Sequence, residues 1–295
     1  MRCPICSLKN NKNTSTNTKG NSFKKYGSYR RKSDSRVIQR FYCKCCCKTY
    51  SLALNDPAYN HKKRRINHPL RQLLSACVSQ RRAALILGVS RRTIARKVIY
   101  LGALCRDLNQ SYWESRAHQI NTIQFDELQT IEHSKCKPLS VAVVVSSRDR
   151  KIVGIQVSSM PATGHLAAIS RKKYGVRPDH RQRGLNRLFT QISGTLTPNP
   201  TICSDEHPYY KPIISKHFSR ATYRQTKGVR SAVTGQGELK KQKRDPLFYI
   251  NHTLAMLRAN INRLVRKTWC TTKDPARLAD HLAIYMWTHN SVLTT

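Results

Sequence analysis

The sequence predicts an α/β protein built on a mixed sheet, preceded by a small cysteine-knuckle module and a short helical module. Three observations predict it. Two Cys-x-x-Cys pairs, Cys3–Cys6 and Cys43–Cys46, lie in the first 47 residues. Apolar residues at three- and four-residue spacing, broken by Gly88-Val89-Ser90, cover the stretch from Leu70 to Val98. From Ile120 the period changes to Val- and Ile-rich runs separated by turn signals, then mixed with helical stretches.

Charge limits the partners. Of 295 residues, 54 are Lys or Arg and 15 are Asp or Glu, a formal net charge of +39. Such an excess destabilises a compact state by self-repulsion unless a polyanion shares the surface, and nucleic acid is the polyanion expected. Residues 1–125 hold 26 basic and 4 acidic side chains, and residues 126–295 hold 28 and 11, so both halves are expected to touch it. No membrane partner is expected: the longest apolar run, Val141 to Val145, is far short of the ~20 residues of a membrane span. Met1-Arg2-Cys3-Pro4 begins no apolar signal segment, so a cytoplasmic, nucleoid-associated location is expected.

The cysteines come next. Their number, 11, is odd, and with no export signal a disulfide framework is not expected. Two knuckles can supply four thiolates in a tetrahedron, the structural zinc geometry. Residues 1–51 therefore read as a zinc ribbon, with strand pieces at Ser28–Arg31 and Phe41–Tyr42. Cys3, Cys6, Cys43 and Cys46 are the favoured ligands, while Cys45 and Cys47 leave the second register open. The later five, Cys77, Cys105, Cys136, Cys203 and Cys270, read as small buried hydrophobes. Residues 52–69, with Asn55-Asp56-Pro57 and the run Lys62 to Arg65, read as a basic linker.

Residues 70–118 read as a helix-turn-helix module. The first helix ends at Gly88, where a left-handed backbone costs little. Ser90 can cap the second. That helix carries Ile94 and Val98 on one face and Arg91, Arg92, Thr93, Arg96 and Lys97 elsewhere, the layout of a recognition helix. Arg91, Arg92, Thr93 and Arg96 are the candidate DNA contacts. Residues 103–118 read as a further helix or connector, with Trp113 as a packing residue.

Residues 119–295 read as the main domain. Ile120–Ile131, Leu139–Val145 and Ile152–Val157 form an antiparallel meander. A helix around 164–174, a charged loop at 177–184 and a helix at 185–194 follow. Next come a strand at 201–204 ending at Asp205, a helix at 208–218 and a strand at 221–224. A Gly- and Lys-rich loop at 226–245 precedes two closing helices, 246–268 and 275–290. This order matches the ribonuclease H-like layout.

Two carboxylates stand out in it. Asp126 lies inside the first strand, where a carboxylate is costly unless paired or bound to a cation. Asp205 ends a strand that this layout places beside the first. Two such carboxylates suit Mg²⁺ or Mn²⁺; a pair of buried salt bridges is the plainer reading. Leu247, Ile250, Leu254, Leu257, Ile261 and Leu264 form one buried helical stripe. Asn251 sits at its edge and is the preferred third ligand, with Glu238 the alternative. Arg258 lies on the same side as Asn251, and His252 points nearly opposite the stripe.

Together these motifs resemble bacterial insertion-sequence transposases. The resemblance rests on the CPxC…CxxC ribbon, Ala84-x3-Gly88-Val89-Ser90-x2-Thr93-Ile94, Phe125-Asp126-Glu127, the run Lys135–Ser140, Ser204-Asp205 and Leu257-Arg258-x4-Arg263-Leu264-Val265-Arg266-Lys267-Thr268. It covers nearly the whole chain. It implies a ribonuclease H-like DDE domain with two divalent cations. Asp126 and Asp205 would be its first two ligands, and Asn251, followed by His252, would stand where many relatives have Glu. Arg258 would hold DNA phosphate. The implied activity is binding of terminal inverted repeats in double-stranded DNA, then metal-dependent cleavage and strand transfer by a homo-oligomer. A non-catalytic DNA-binding regulator or decayed copy is the alternative, and a nuclease without strand transfer a third.

Overall fold

The computed structural model describes residues 3, 6, 23–227, 245–265 and 269–292. The chain divides into two compact units, Met1–Pro69 and Leu70–Thr295.

The first unit is built on a three-stranded antiparallel sheet of β1 (Phe23–Arg30), β2 (Val37–Cys43) and β3 (Thr49–Ser51), in that order. Among the described residues, one core cluster of the unit is Cys3, Phe41, Cys43 and Tyr50. Phe23 meets Phe41 edge-on at 5.6 Å and Phe41 stacks on Tyr50 at 5.7 Å. A module of this size gains from a further cross-link such as a metal. Residues 52–69, expected as a linker, are folded into this unit. Asp56 turns the chain by accepting from the Ala58 N–H at 2.8 Å, and its carboxylate pairs with Arg64 at 2.9 Å and Arg31 at 3.4 Å. Asp56 draws the basic run back onto the sheet.

The second unit begins helically. Helix α1 (Asn67–Leu74) starts just before the division. α2 (Gln80–Ile86) and α3 (Arg91–Glu114) follow, each capped by a serine: Ser79 accepts from the Arg82 N–H and Ser90 from the Thr93 N–H, both at 3.2 Å. Between them Gly88 takes φ +60°, where a side chain would be strained. Ala83, Ala84, Ile94 and Val98 are buried. The expected second helix and the connector after it are one helix of 24 residues. Gly102 does not break it; there the helix packs so closely that a Cβ would stand 2.5 Å from the Asp280 Cβ.

The rest is a mixed α/β layer structure. β4 (Ile120–Glu132), β5 (Ser134–Ser146) and β6 (Ile152–Ser159) form the antiparallel meander. α4 (Leu166–Tyr174) and α5 (Arg181–Ile192) precede β7 (Leu196–Asp205); α6 (Tyr210–His217) and β8 (Thr222–Thr226) follow. The sheet order is β6-β5-β4-β7-β8, with β7 parallel to both β4 and β8. α5 begins at Arg181, inside the stretch expected as a charged loop, because Gly184 and Leu185 must bury against β6.

Two faces of β4 are covered differently. Phe125 points to α5 and α6, meeting Phe189 at 5.2 Å and Tyr210 at 4.7 Å. Gln124, on the opposite face, ties β4 to α7 (Phe248–Asn260): its Nε2 donates to the Pro246 carbonyl at 2.8 Å and its Oε1 accepts from the Ile250 N–H at 3.0 Å. The stripe Leu247, Ile250, Leu254, Leu257, Ile261 and Leu264 is buried throughout. The helix, expected to reach residue 268, ends at Asn260. Ile261 is extended, and the Asn260 amide donates back to the Met256 carbonyl at 3.0 Å. α8 (Pro275–Val292) closes the chain against α3 and β6: Arg106 pairs with Asp280 at 2.7 Å, and Asn290 exchanges bonds with the Ile152 backbone. Trp113 is buried and donates to the Ile152 carbonyl at 3.2 Å. Among the described residues, no helix is long and apolar enough to cross a membrane.

Candidate metal centre and the acidic edge of the sheet

The N-terminal knuckles converge. Cys43 closes β2, Cys46 lies in the turn before β3, and both face Cys3 and Cys6. The four sulfurs lie within 4.8 Å of one another. A tetrahedral tetrathiolate with Zn–S bonds of about 2.3 Å has sulfur–sulfur edges of about 3.8 Å. Cys3 and Cys46 are 3.8 Å apart at Sγ, and Cys6 and Cys43 are 3.7 Å apart. This donor set can hold zinc. Backbone N–H groups of Cys46 and Cys45 aimed at Cys43 pull its thiol down to about 6, while hydrogen bonding to Cys46 pushes Cys6 up to about 12. A metal that takes all four as thiolates therefore displaces protons, notably from Cys6 and Cys46, whose thiols are pushed up. Cys45 and Cys47 are exposed and lie outside the cluster. Of the later cysteines, Cys105 and Cys136 are buried and Cys203 and Cys270 half-buried; Cys77 is exposed, in a turn with φ +59°.

The second site lies at the carboxyl end of β7. The parallel register pairs Gln124 with Cys203. Two residues on, Asp126 and Asp205 come level, and the two-residue period puts both on the α7 face. Both carboxyls are pushed up. Asp126 rises to about 6, first through burial and then through the charges of Asp205 and Glu127; the Glu127 N–H, at 2.6 Å, and the Arg258 charge oppose the rise. Asp205 rises through burial and the charges of Glu127 and Glu206, against His207. Its Oδ1 is buried and accepts no hydrogen bond among the described residues. Two carboxyls level on one face, one with an orphaned oxygen, are a donor set for a hard cation. The reading as two salt-bridged aspartates finds no support, since the ion pairs of the described residues include neither.

Asn251 is exposed on α7, and its amide Nδ2 donates to Asp245 Oδ2 at 2.8 Å. Asp245 also caps the helix start by accepting from the Leu247 N–H at 2.9 Å. Arg258, exposed two turns on, lies on the same side of α7 as Asn251 and within electrostatic reach of Asp126. His252 faces away, its Nδ1 2.9 Å from Arg150 Nη1. Glu238 lies outside the described residues. Arg91, Arg92 and Arg96 are exposed on the first turns of α3; Thr93 is half-buried, with its hydroxyl 3.0 Å from Ser90 Oγ.

Glu127, in the sequence only the last residue of the Phe125-Asp126-Glu127 motif, has a role of its own. It points to the face opposite Asp126, where Ser140 Oγ donates to it at 2.7 Å and the Tyr209 and Tyr210 hydroxyls donate from the loop and helix after β7. Strand alternation and the Tyr209-Tyr210 pair were the available signals. Glu127 thus ties β4 to the segment that carries Asp205, and its charge raises both aspartates. His207 packs on Tyr209 at 4.1 Å in the same segment. No protein-family model matches the chain, and no curated protein matches it.

Proposed function

We propose that the chain is a DNA transposase of an insertion sequence, with a ribonuclease H-like catalytic domain at residues 119–295. The observation that carries the reading is the level pair of Asp126 and Asp205 on adjacent parallel strands, in a chain of net charge +39. The antiparallel β6-β5-β4 and parallel β4-β7-β8 order supports the domain assignment.

In this reading the zinc ribbon and the α2–α3 pair bind the terminal inverted repeats. Arg91, Arg92, Thr93 and Arg96 provide base-edge or phosphate contacts. Asp126 and Asp205, with Asn251 as the third position, would hold two Mg²⁺ or Mn²⁺ ions. Such ions, when bound, would supply Lewis acidity for the phosphoryl transfer. Arg258 holds a DNA phosphate beside them, and Glu127 fixes the β7 segment. Water cleaves a phosphodiester and leaves a 3′-OH and a 5′-phosphate. The 3′-OH then attacks a target phosphodiester, whose own 3′-oxygen leaves, so no covalent protein–DNA bond is needed. The chain works on DNA as at least a dimer, in the nucleoid.

Cleavage and joining on a duplex carrying the element's end test the reading, in Mg²⁺ and in EDTA, with the wild type beside Asp126→Ala. Metal-dependent joining that vanishes in the variant while DNA binding persists is expected. The bond from Asn251 to Asp245 gives the non-catalytic regulator its footing; tight binding without cleavage in any divalent metal would select it. Cleavage without joining would select the nuclease.

A further inference from the structure

One basic concavity brings α2 and α3 to the segment after α7. A 580 Å³ hollow is lined by Arg81 and Arg82 of α2, Arg91 and Arg92 of α3, and Arg263 and Trp269 from the segment after α7. Among the described residues, no carboxylate lines it. Burial lowers the pKa of Arg263, although the Asp274 and Asp280 charges oppose the fall. Five arginines lining one hollow favour an anion that brings several charges.

Trp269 distinguishes this hollow from a plain phosphate groove. Its relative exposure is 101%, whereas Trp113 is buried and Trp287 is half-buried. Leaving a whole indole in water forfeits a large apolar burial. An indole at the rim of an arginine-lined hollow is the combination that binds unpaired nucleotides: guanidiniums track the backbone and the ring receives a base. A fully paired duplex offers no free base face to stack on.

We infer that this hollow receives an unpaired nucleotide of the bound DNA, with its base stacked on Trp269 and its flanking phosphates on Arg81, Arg82, Arg91, Arg92 and Arg263. The inference rests on the DNA-binding part of the proposed function and adds the recognition of splayed DNA. The α2–α3 pair and the segment following the acidic site's helix then grip the same strand.

The test compares two fluorescein-labelled duplexes of one sequence, one fully paired and one with a three-nucleotide splayed end, bound by the full-length zinc-loaded protein. The wild type is expected to prefer the splayed duplex by about tenfold, within the range that one base–aromatic stack spans. Its tryptophan fluorescence should be quenched on binding. Trp269→Ala should abolish the preference and the quench while leaving affinity for the paired duplex unchanged, and Trp269→Phe should keep most of the preference. The exposed position makes misfolding of these variants unexpected. Equal loss for both duplexes in Trp269→Ala, or no loss for either, would overturn the inference and leave DNA binding standing. A quench that follows protein concentration without DNA would overturn it in favour of a subunit contact. Failure of the wild type to bind either duplex would overturn both this inference and the DNA reading.

Discussion

Asp126 and Asp205 stand level on one face of two neighbouring parallel strands, and burial together with like charge lifts both carboxyls above their ordinary range. The folded chain therefore carries a charge cost at neutral pH that a divalent cation would offset.

Asp126→Asn is expected to stabilise the Mg²⁺-free protein at pH 8. The Asp126 pKa rises from 3.8 to about 6, so the folded chain binds this proton more tightly than the unfolded chain. That stabilisation is complete below the unfolded pKa and is lost as pH rises through about 6. Above it, the buried charge costs up to about 3 kcal/mol, from roughly two pH units at about 1.4 kcal/mol each. Melting at pH 4 and pH 8 checks the sign: the Asn variant should gain several degrees at pH 8 and none at pH 4. Mg²⁺ should raise the wild-type Tm at pH 8 and leave the variant unmoved.

One zinc per chain is expected, held by Cys3, Cys6, Cys43 and Cys46. Metal analysis should find it lost in Cys43→Ser and kept in Cys45→Ser and Cys47→Ser, whose thiols are exposed. Chelation should unfold the first unit, because two of the four residues of its cysteine–aromatic core cluster are themselves metal ligands.

Gly102→Ala should destabilise the second unit by about 1–3 kcal/mol, the usual cost of overpacking. The new Cβ would meet the Asp280 Cα at 2.8 Å, and the backbone cannot yield without parting α3 from α8. Denaturant unfolding with an unchanged m-value reads the effect. A neutral result would mean that α3 and α8 pack less closely than described.

The α/β architecture was legible because strand and helix periods differ and because turn residues separated the meander strands. The aspartate pair was legible for the same reason: the element order puts β7 beside β4. What escaped depended on partners distant in sequence. Local spacing leaves 103–118 as a further helix or connector; that it continues α3 depends on the close packing of Gly102 on Asp280, a contact distant in sequence. Asp56 holds Arg31 and Arg64, so a segment with linker composition folds. The Asn251–Asp245 bond spans six residues around a helix start, and helical spacing alone placed Asn251 without naming what it touches. α5 begins early because Gly184 packs on Ser158, a contact no local pattern encodes.

Replacing Arg91, Arg92 and Arg96 together with Ala should weaken duplex binding and flatten its salt dependence. Each phosphate contact removed lowers the slope of log K against log salt by about 0.9, so a loss of roughly 2–3 is expected if all three touch phosphate. Arg91→Ala, Arg92→Ala and Arg96→Ala singly separate the cases: a base-edge contact relaxes sequence preference with little change in slope. All three side chains are exposed, so the fold should be unaffected. An unchanged slope in the triple variant would remove α3 from the DNA interface.

Mn²⁺ binding read by electron paramagnetic resonance tests the central claim most directly, because it requires no knowledge of the DNA end. The zinc-loaded wild type should bind Mn²⁺ at pH 8, and Mg²⁺ should compete. Asp126→Asn and Asp205→Asn, folded by near-ultraviolet circular dichroism, should each lose the bound signal. Binding that persists unchanged in both variants, or no binding by the wild type at millimolar Mn²⁺, would contradict a cation site at the aspartate pair and the catalytic reading built on it.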